Sequence, residues 1–232
     1  MGYRLHVGNR NYSSWSLRPW VLMRGLGIGF EAEQHWFGEG SNYAAFRAFS
    51  PSGMVPCLHD GATRVWDSMG IVEYLAERHE GVWPADAAAR TWARCASAEM
   101  HGGFAALRNI CGMNCGVRVR LHAVPAALAR DVARIDALWS EGLARFGGTF
   151  LGGAAFSAVD AFFAPVVFRV RGYGLELGAP AAGYVARMLE FPAMREWYAA
   201  ALAETQREAG HEDEVRAVGA IIEDLRATAP GA

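Results

Sequence analysis

The chain has 232 residues, a formal net charge of −2 and 52% apolar residues, a composition typical of a chain that folds around a core. The near-neutral charge excludes a dedicated nucleic-acid binder, which needs a basic stripe. All 22 basic residues are arginine. Chemistry that needs a lysine amine, such as Schiff-base formation or pyridoxal phosphate anchoring, is therefore excluded as well.

Other sequence features limit where the protein acts in the cell and which cofactors it uses. The longest apolar stretch, 161–168, includes a proline and is far shorter than the roughly 18 residues of a membrane span. The N-terminus lacks the apolar core of a signal peptide, and the four cysteines lack Cys-x-x-Cys spacing. The seven histidines are scattered along the chain, which predicts no metal. We expect a cytoplasmic protein with reduced thiols and no membrane contact.

Alanine content divides the chain into two segments. Residues 1–80 hold 6 alanines, whereas residues 81–232 hold 36. The first segment mixes strand-like and helical patterns, and the second is helical almost throughout. A Gly and a Pro near residue 81 suit a short linker. We predict a mixed α/β domain at 1–80, a linker at 81–90 and an all-helical domain at 91–232.

The first segment predicts a thioredoxin-like order of elements. Its first half contains, in chain order, a strand at 3–7, a helix at 14–26, a strand at 30–37 and a short helix around 43–49. Asp60-Gly61 then separates two short apolar runs, which is a strong hairpin signal. Ser68 is a candidate N-cap for a helix with an apolar face. The predicted order is β-α-β, a short helix, then β-β-α.

The second segment predicts helices. Apolar residues three and four apart over 128–146 form one helical stripe. Ser157 and Asp160 form a capping-box pattern ahead of a buried helix that carries Pro165. A final helix is predicted from about 213 to 226, followed by a frayed end.

Three polar features of the first segment are candidates for binding. Ser13 and Ser14 lie where the first helix begins, and the free N–H groups of a helix start stabilise an anion, including a thiolate. Pro56, at a strand start, fits an exposed edge or a cis bond. Asp67 and Ser68, at another helix start, suit the ammonium and carboxylate of a ligand. For the serines and for Asp67 and Ser68, plain helix capping is the alternative interpretation.

Together these motifs resemble a bacterial cytosolic glutathione transferase. The segment 50–58, SPSGMVPCL, resembles the family's Asn-Pro-x-x-x-Val-Pro-x-Leu loop. The segment 67–75, DSMGIVEYL, resembles its Glu/Asp-Ser-x-Ala-Ile-x-x-Tyr-Leu helix start, and 157–165 is similar to its capping box. The Ser-Ser-Trp at 13–15 is most similar to the Ser-Ser-Cys motif of the zeta class, which includes maleylacetoacetate isomerases. The segment 101–109 resembles the matching zeta helix.

The resemblance implies a role for each matching residue in binding glutathione. Val55 would pair its backbone with the cysteinyl part of the tripeptide, and Pro56 would be cis. Asp67 and Ser68 would hold the γ-glutamyl end, and Asn109 would contact the ligand from the helical domain.

The resemblance also implies the catalytic residues. Ser13 would hydrogen-bond the glutathione sulfur, with Ser14 as the next candidate. Trp15 stands where the zeta class has Cys, a departure that bears on isomerase chemistry. Five residues are candidate walls for the electrophile, with ordinary interdomain packing as their alternative: Tyr12, Trp15, His101, Phe104 and Arg108. Arg108 is a candidate partner for an acidic electrophile.

The expected function is a serine-type glutathione transferase that attacks a small electrophile with the glutathione thiolate. Glutathione would be the co-substrate, with no metal, and the protein would be a cytoplasmic homodimer with a role in detoxification. Two alternatives stay open: a glutathione-dependent isomerase of the maleylacetoacetate type, and a non-catalytic ligand-binding relative. A disulfide oxidoreductase is the least favoured, because the active position carries Ser and no Cys-x-x-Cys occurs.

Overall fold

The first half of the molecule contains four strands and three helices. The structure is a computed structural model that describes residues 2–38 and 40–226. In chain order these elements are β1 (Tyr3–Val7), α1 (Ser14–Gly25), β2 (Phe30–Gln34), α2 (Tyr43–Phe46), β3 (Cys57–Asp60), β4 (Thr63–Trp66) and α3 (Ser68–Ala76). Each element predicted for this segment is present, with ends that differ by a few residues.

The four strands form one mixed sheet in the order β2-β1-β3-β4. β1 and β2 are parallel and joined through α1, whereas β3 runs antiparallel to β1 and β4 antiparallel to β3. The β3–β4 hairpin turns at Gly61, whose φ of 57° favours glycine. This is the predicted thioredoxin-like arrangement.

The second half is built from helices with one small sheet. Its elements are α4 (Ala87–Gly102), α5 (Ala105–Ile110), β5 (Val117–Leu121), α6 (Ala126–Phe146), α7 (Ala158–Tyr173), α8 (Ala179–Glu190), α9 (Pro192–Ala203), α10 (Ala209–Val218) and β6 (Gly219–Asp224). Within the described ranges, none of the helices has the length and apolarity needed to cross a membrane.

The prediction of a final helix over 213–226 is wrong, and the frayed end predicted after it lies outside the described residues. The helix α10 ends at Val218, and β6 follows and pairs antiparallel with β5. Gly219 is fully extended, and β-branched Ile221 and Ile222 follow it, a composition that favours a strand. β5 itself alternates apolar residues with arginines over 117–121, a period-two signal that the helical interpretation of this half missed.

The helix α7 is the centre of the second half, and a buried carboxylate fixes its start. It is buried along nearly its whole length and packs against α1 and α4. Asp160 accepts hydrogen bonds from the Ser157 N–H (3.0 Å), the Leu151 N–H (3.0 Å) and the Tyr184 hydroxyl (3.0 Å). The predicted capping box is present. Because α1 rests on α7, this carboxylate also sets where the N-terminus of α1 lies.

We predict that Asp160→Ala lowers the free energy of unfolding by about 3 to 5 kcal/mol, since it leaves two buried N–H groups and a buried hydroxyl unpaired. Urea unfolding followed by tryptophan fluorescence measures the change. The control is Asp213→Ala on the exposed surface of α10, for which we expect a change within about 0.5 kcal/mol. Equal losses in the two variants would contradict the role given to Asp160.

Candidate active site

Most of the predicted site residues line two adjoining clefts, the first between the sheet domain and the helical half and the second within the sheet domain. The first cleft has a volume of about 410 Å³ and the second about 480 Å³. Trp15, Met54 and Val55 line both, so the clefts are continuous. A larger cleft of about 890 Å³ surrounds Trp83 and Pro84, but it contains none of the residues predicted for the site.

The start of α1 brings a pair of hydroxyls to the first cleft. Ser13 is the N-cap, and its Oγ lies 2.7 Å from the Oγ of buried Ser16. The Ser16 Oγ also accepts the N–H of Gly8 at 3.1 Å. Ser14, the first residue of the helix, is half-buried and lines the same cleft. Both candidate serines therefore lie beside the cleft at the N-terminus of α1, where the helix carries a partial positive charge.

The loop before β3 leaves backbone groups free beside the serines. The Val55–Pro56 peptide bond is cis. Val55 lines both clefts, and its N–H and C=O have no hydrogen-bond partner among the described residues. An extended ligand in the cleft could therefore pair with Val55 as an added strand does.

The start of α3 closes the second cleft. Asp67 has φ 65° and ψ 142°, a conformation that costs of order 1 to 3 kcal/mol in a non-glycine residue. Its Oδ1 accepts the Met69 N–H at 2.7 Å and lies 3.5 Å from Nε2 of His101. Ser68 is buried next to it and lines the cleft. A strained, charged residue at a helix start is typical of a binding site.

Arg18 is a residue of this site that the sequence did not reveal. It is 1% exposed, its Nη1 lies 3.5 Å from the Ser68 Oγ, and its guanidinium lies 4.1 Å from the centre of the Trp15 ring. Burial, with the positive charges of Arg108 and Arg169, lowers the pKa of Arg18 to about 9. The only sequence signal was an arginine on the apolar face of α1.

Two further arginines reach the first cleft from the helical half. Arg108 binds backbone carbonyls at the end of α4 through Nε and Nη2, and its guanidinium lies 4.8 Å from the centre of the Trp15 ring. Arg169 is 6% exposed and donates from Nη1 to the carbonyl of Arg108 at 3.3 Å and to that of Cys111. Its Nε has no hydrogen-bond partner in the described part of the chain. Burial lowers the pKa of Arg169 to about 10.

Tyr12 anchors the C-terminal segment to the serine motif. Its hydroxyl donates to Glu212 at 2.6 Å and accepts from Arg226 at 3.2 Å. Burial and the bond to Glu212 raise the pKa of Tyr12, so the phenol stays protonated. The His211 ring stacks on the Tyr12 ring and on the Phe37 ring. Tyr12 lines the cleft through its ring while its hydroxyl is committed to α10.

The remaining predicted residues lie at different distances from the clefts. His101 contacts both Asp67 and the Trp15 ring but lines neither cleft. Phe104 is buried, starts α5 with φ 58° and lines neither cleft. Asn109 is exposed and also lines neither cleft. The structure therefore does not bring Phe104 and Asn109 together with the other candidates.

Two sequence families match the chain. Residues 12–78 match the glutathione S-transferase N-terminal domain, and residues 121–200 match the glutathione S-transferase C-terminal domain. The two matches together span more than half of the sequence, in the order in which the two halves of the fold occur. The chain belongs to the glutathione S-transferase family.

Solved structures share this fold at low sequence identity. A glutathione transferase homolog from Burkholderia with bound glutathione has a TM-score of 0.65 and 20% identity, over 87% of this chain and 98% of that one. A theta class enzyme from Xanthomonas axonopodis pv. citri with glutathione bound has a TM-score of 0.63 and 23% identity, over 85% and 97%. A diazinon-metabolizing glutathione S-transferase of the silkworm Bombyx mori has a TM-score of 0.68 and 13% identity, over 87% of this chain and 97% of that one.

We predict that Arg226→Met destabilises the protein by about 3 kcal/mol near neutral pH, because it removes the buried cation that hydrogen-bonds the Glu212 carboxylate and leaves only exposed Arg216 at 3.9 Å. Burial would raise the pKa of Glu212, but hydrogen bonds from Arg226 and Tyr12 outweigh it and hold the pKa below its usual range. That contribution is present above the unfolded pKa of about 4 and is lost as pH falls. In the variant the pKa of Glu212 rises instead, so the deficit should shrink between about pH 7 and pH 4.

Urea unfolding of both proteins across that pH range measures this effect. The matched control is Arg145→Met, which removes an exposed arginine paired with Glu141 and should cost less than about 1 kcal/mol at any pH. A deficit for Arg226→Met that does not depend on pH would contradict the assignment of its partner.

Proposed function

We propose that the protein is a glutathione transferase in which Ser13 stabilises the thiolate of bound glutathione. The observation that carries the proposal is the position of its hydroxyl, at the N-terminus of α1 and within the cleft that adjoins Asp67 and Ser68. A thiolate placed there receives a hydroxyl hydrogen bond and the positive end of the helix together. The Ser-Ser start of the motif supports a zeta-like arrangement.

A short chain of donors supports Ser13 over Ser14. The Gly8 N–H donates to Ser16 Oγ, and this oxygen lies 2.7 Å from Ser13 Oγ. When the Ser13 proton turns toward sulfur, the Ser16 proton can turn to Ser13 and keep the bond between them. Ser13 then donates to the thiolate while accepting from Ser16, and successive hydrogen bonds of this kind strengthen each other. Ser16 is a positioning residue in this arrangement.

The two clefts fit an extended tripeptide whose thiol lies at the serines. Val55 offers its free N–H and C=O to the central cysteinyl residue. Asp67 and Ser68 offer a carboxylate and a hydroxyl to the α-ammonium and α-carboxylate of the γ-glutamyl end, and Arg18 supports Ser68. The helical half then supplies the walls around the electrophile. We take the enzyme to act in the cytoplasm as a homodimer, as the family resemblance implies.

Magnitudes agree with this mechanism. A free thiol has a pKa of about 8.5, so most of it is protonated at neutral pH. Lowering that pKa by about two units requires roughly 2.7 kcal/mol of preferential stabilisation of the thiolate. A hydrogen bond to a charged group supplies about 1.5 to 3 kcal/mol, and a helix N-terminus about 0.3 to 1. The serine and the helix therefore suffice without a tyrosine or a cysteine.

We predict that Ser13→Ala raises the pKa of the bound glutathione thiol by about 1 to 2 units, because it removes that hydrogen bond. Ultraviolet thiolate absorbance of the complex, titrated against pH, measures the change. Ser16→Ala should give a smaller rise in the same direction. Tyr12→Phe is the control, since the Tyr12 hydroxyl is committed to Glu212, and the thiol pKa should not change.

The titration has two outcomes that contradict the proposal. A change with Ser14→Ala and none with Ser13→Ala would move the role to the next residue. No change with either serine would remove serine activation.

We further propose that the electrophile carries an anionic group. Arg108 and Arg169 both line the first cleft, and neither forms a direct ion pair with a carboxylate among the described residues. The Nη1 of Arg108 makes no hydrogen bond there, because only Nε and Nη2 bind the end of α4. A carboxylate bound in the cleft would accept charge-assisted hydrogen bonds from these guanidinium groups.

We predict that Arg108→Met lowers kcat/KM for a carboxylate-bearing electrophile about 10- to 100-fold, the size of a lost charge-assisted hydrogen bond. The uncharged amide of the same electrophile should lose less than about 3-fold, since only the charge contact is missing. Steady-state conjugation of such matched pairs measures the difference. An equal loss for the acid and its amide would show that Arg108 acts through packing alone.

The same arginines favour one second candidate, a glutathione-dependent isomerase of a maleyl-type diketo acid, because that substrate carries carboxylates. Trp15 at the position of the zeta cysteine weighs against it. Incubation with maleylacetone and glutathione separates the two: isomerisation without consumption of glutathione supports this candidate, and no turnover removes it. Binding of apolar dyes without any conjugation would instead support a non-catalytic relative.

A further inference from the structure

A cluster of imidazoles and one carboxylate lies on the sheet, away from both clefts of the candidate active site. His6 is on β1, and His35 and Glu33 are on or next to β2, the edge strand. The parallel register places His6 opposite Glu33, and residues two apart on a strand share a face. The sheet therefore turns all three side chains to the same side.

The three nearest ligand atoms form a triangle of the size that a metal ion requires. His6 Nδ1 lies 2.8 Å from His35 Nε2, and Glu33 Oε1 lies 3.8 Å from the former and 3.6 Å from the latter. The circle through the corners of such a triangle has a radius of about 2.0 Å, which is the length of zinc–nitrogen and zinc–oxygen bonds. One cation can therefore reach all three atoms, and a tetrahedral arrangement, with ligand atoms about 3.3 Å apart, needs movements of about half an ångström.

A second set of hydrogen bonds orients the His6 ring. His59 Nε2 lies 2.8 Å from the Phe49 carbonyl, which accepts only, so this nitrogen carries a proton. With His59 neutral, its Nδ1 accepts from His6 Nε2 at 3.1 Å. The lone pair of neutral His6 then lies on Nδ1, toward the cluster. Metal-binding histidines are held in this way, with the second ring nitrogen donating to a fixed partner.

We propose that His6, His35 and Glu33 bind a divalent transition-metal ion of the zinc type, with a fourth position open to water. Two imidazoles and one carboxylate are a donor set that zinc accepts. The site would join the edge strand to β1 and, through His59, to Phe49 at the base of the 50–56 loop. Its role is structural, because none of its ligands lines the glutathione clefts.

The burial of the cluster agrees with this assignment. His6 is 3% exposed, so the imidazole that anchors the site lies in the protein interior. Glu33 and His35 remain partly exposed, at 45% and 19% of their side chains, which gives an ion a path from solvent. Arg4 lies 3.8 Å from the other oxygen of Glu33, Oε2, and leaves Oε1 to the imidazoles.

Spacing along the chain does not reveal this site. The scatter of the histidines in the sequence therefore led to the prediction of no metal. Residues 6, 33, 35 and 59 come together only because β2 and β3 both pair with β1. The parallel pairing of β1 and β2 spans a whole helical crossover, so the ligand spacing differs from that of a local metal motif.

The test is metal titration of the tag-free full-length protein, cleared with a chelator and kept without glutathione, which itself binds zinc. We expect one Co²⁺ per chain, with the visible absorption of a four-coordinate site, displaced by one Zn²⁺. His35→Gln and Glu33→Gln should each weaken Zn²⁺ binding at least about 10-fold, and His59→Gln about 10-fold through the His6 ring. Zinc should raise the unfolding temperature of the wild type but not of His35→Gln.

The variants avoid buried His6, so that loss of binding does not report misfolding. The matched control is His122→Gln, an exposed histidine far from the cluster in sequence, which should bind Zn²⁺ as the wild type does. Absence of stoichiometric binding, or binding by His35→Gln equal to that of the wild type, would overturn the proposal. Either result would leave three neutral imidazoles joined only by hydrogen bonds.

Discussion

Positive charge around Trp15 is the constraint on which the site depends. Arg18, Arg108 and Arg169 approach this ring or the cleft beside it, and each has its pKa lowered by burial. They contact aromatic faces and backbone carbonyls, and none of them forms a direct ion pair with a carboxylate among the described residues. Because the start of α1 adds its own partial charge, the cleft favours anions at both its sulfur end and its electrophile end.

The scaffold maintains this arrangement by joining the two halves of the chain through buried polar contacts. Asp160 fixes α7, and α7 supports α1. Glu204 accepts the N–H groups of Arg10 and Asn11 just before the serine motif. The loop that leads to Ser13 is thus held by the helical half as much as by the sheet. A site with so much positive charge needs such support, since its own groups repel one another.

The candidate site residues that the sequence indicated lie in continuous motifs. Ser13, Asp67 and Ser68 each stand at a helix start with local signals, whereas the role of Val55 followed from the family resemblance. The order of elements around them followed from hairpin and capping patterns. Arg18 was hidden, because a charged residue on an apolar helix face is indistinguishable from a surface arginine before the partner helix is known.

Other parts depend on contacts that local patterns do not carry. β6 pairs with β5, a partner distant in sequence, and the two β-branched residues after Val218 were too short a signal to outweigh the helical pattern before them. The histidine cluster requires the register of three strands. Asn109 followed from resemblance alone, and the structure leaves it exposed, outside both clefts.

The tie between Tyr12 and Arg226 has a consequence for synthesis of the protein. The two residues are 214 positions apart, so nearly the entire polypeptide must leave the ribosome before they meet. The sheet domain can form early, yet the wall that His211 contributes arrives last. A nascent chain therefore lacks this wall of the cleft for most of its translation, and a chain that ended before residue 226 would lack the cation that binds both Tyr12 and Glu212.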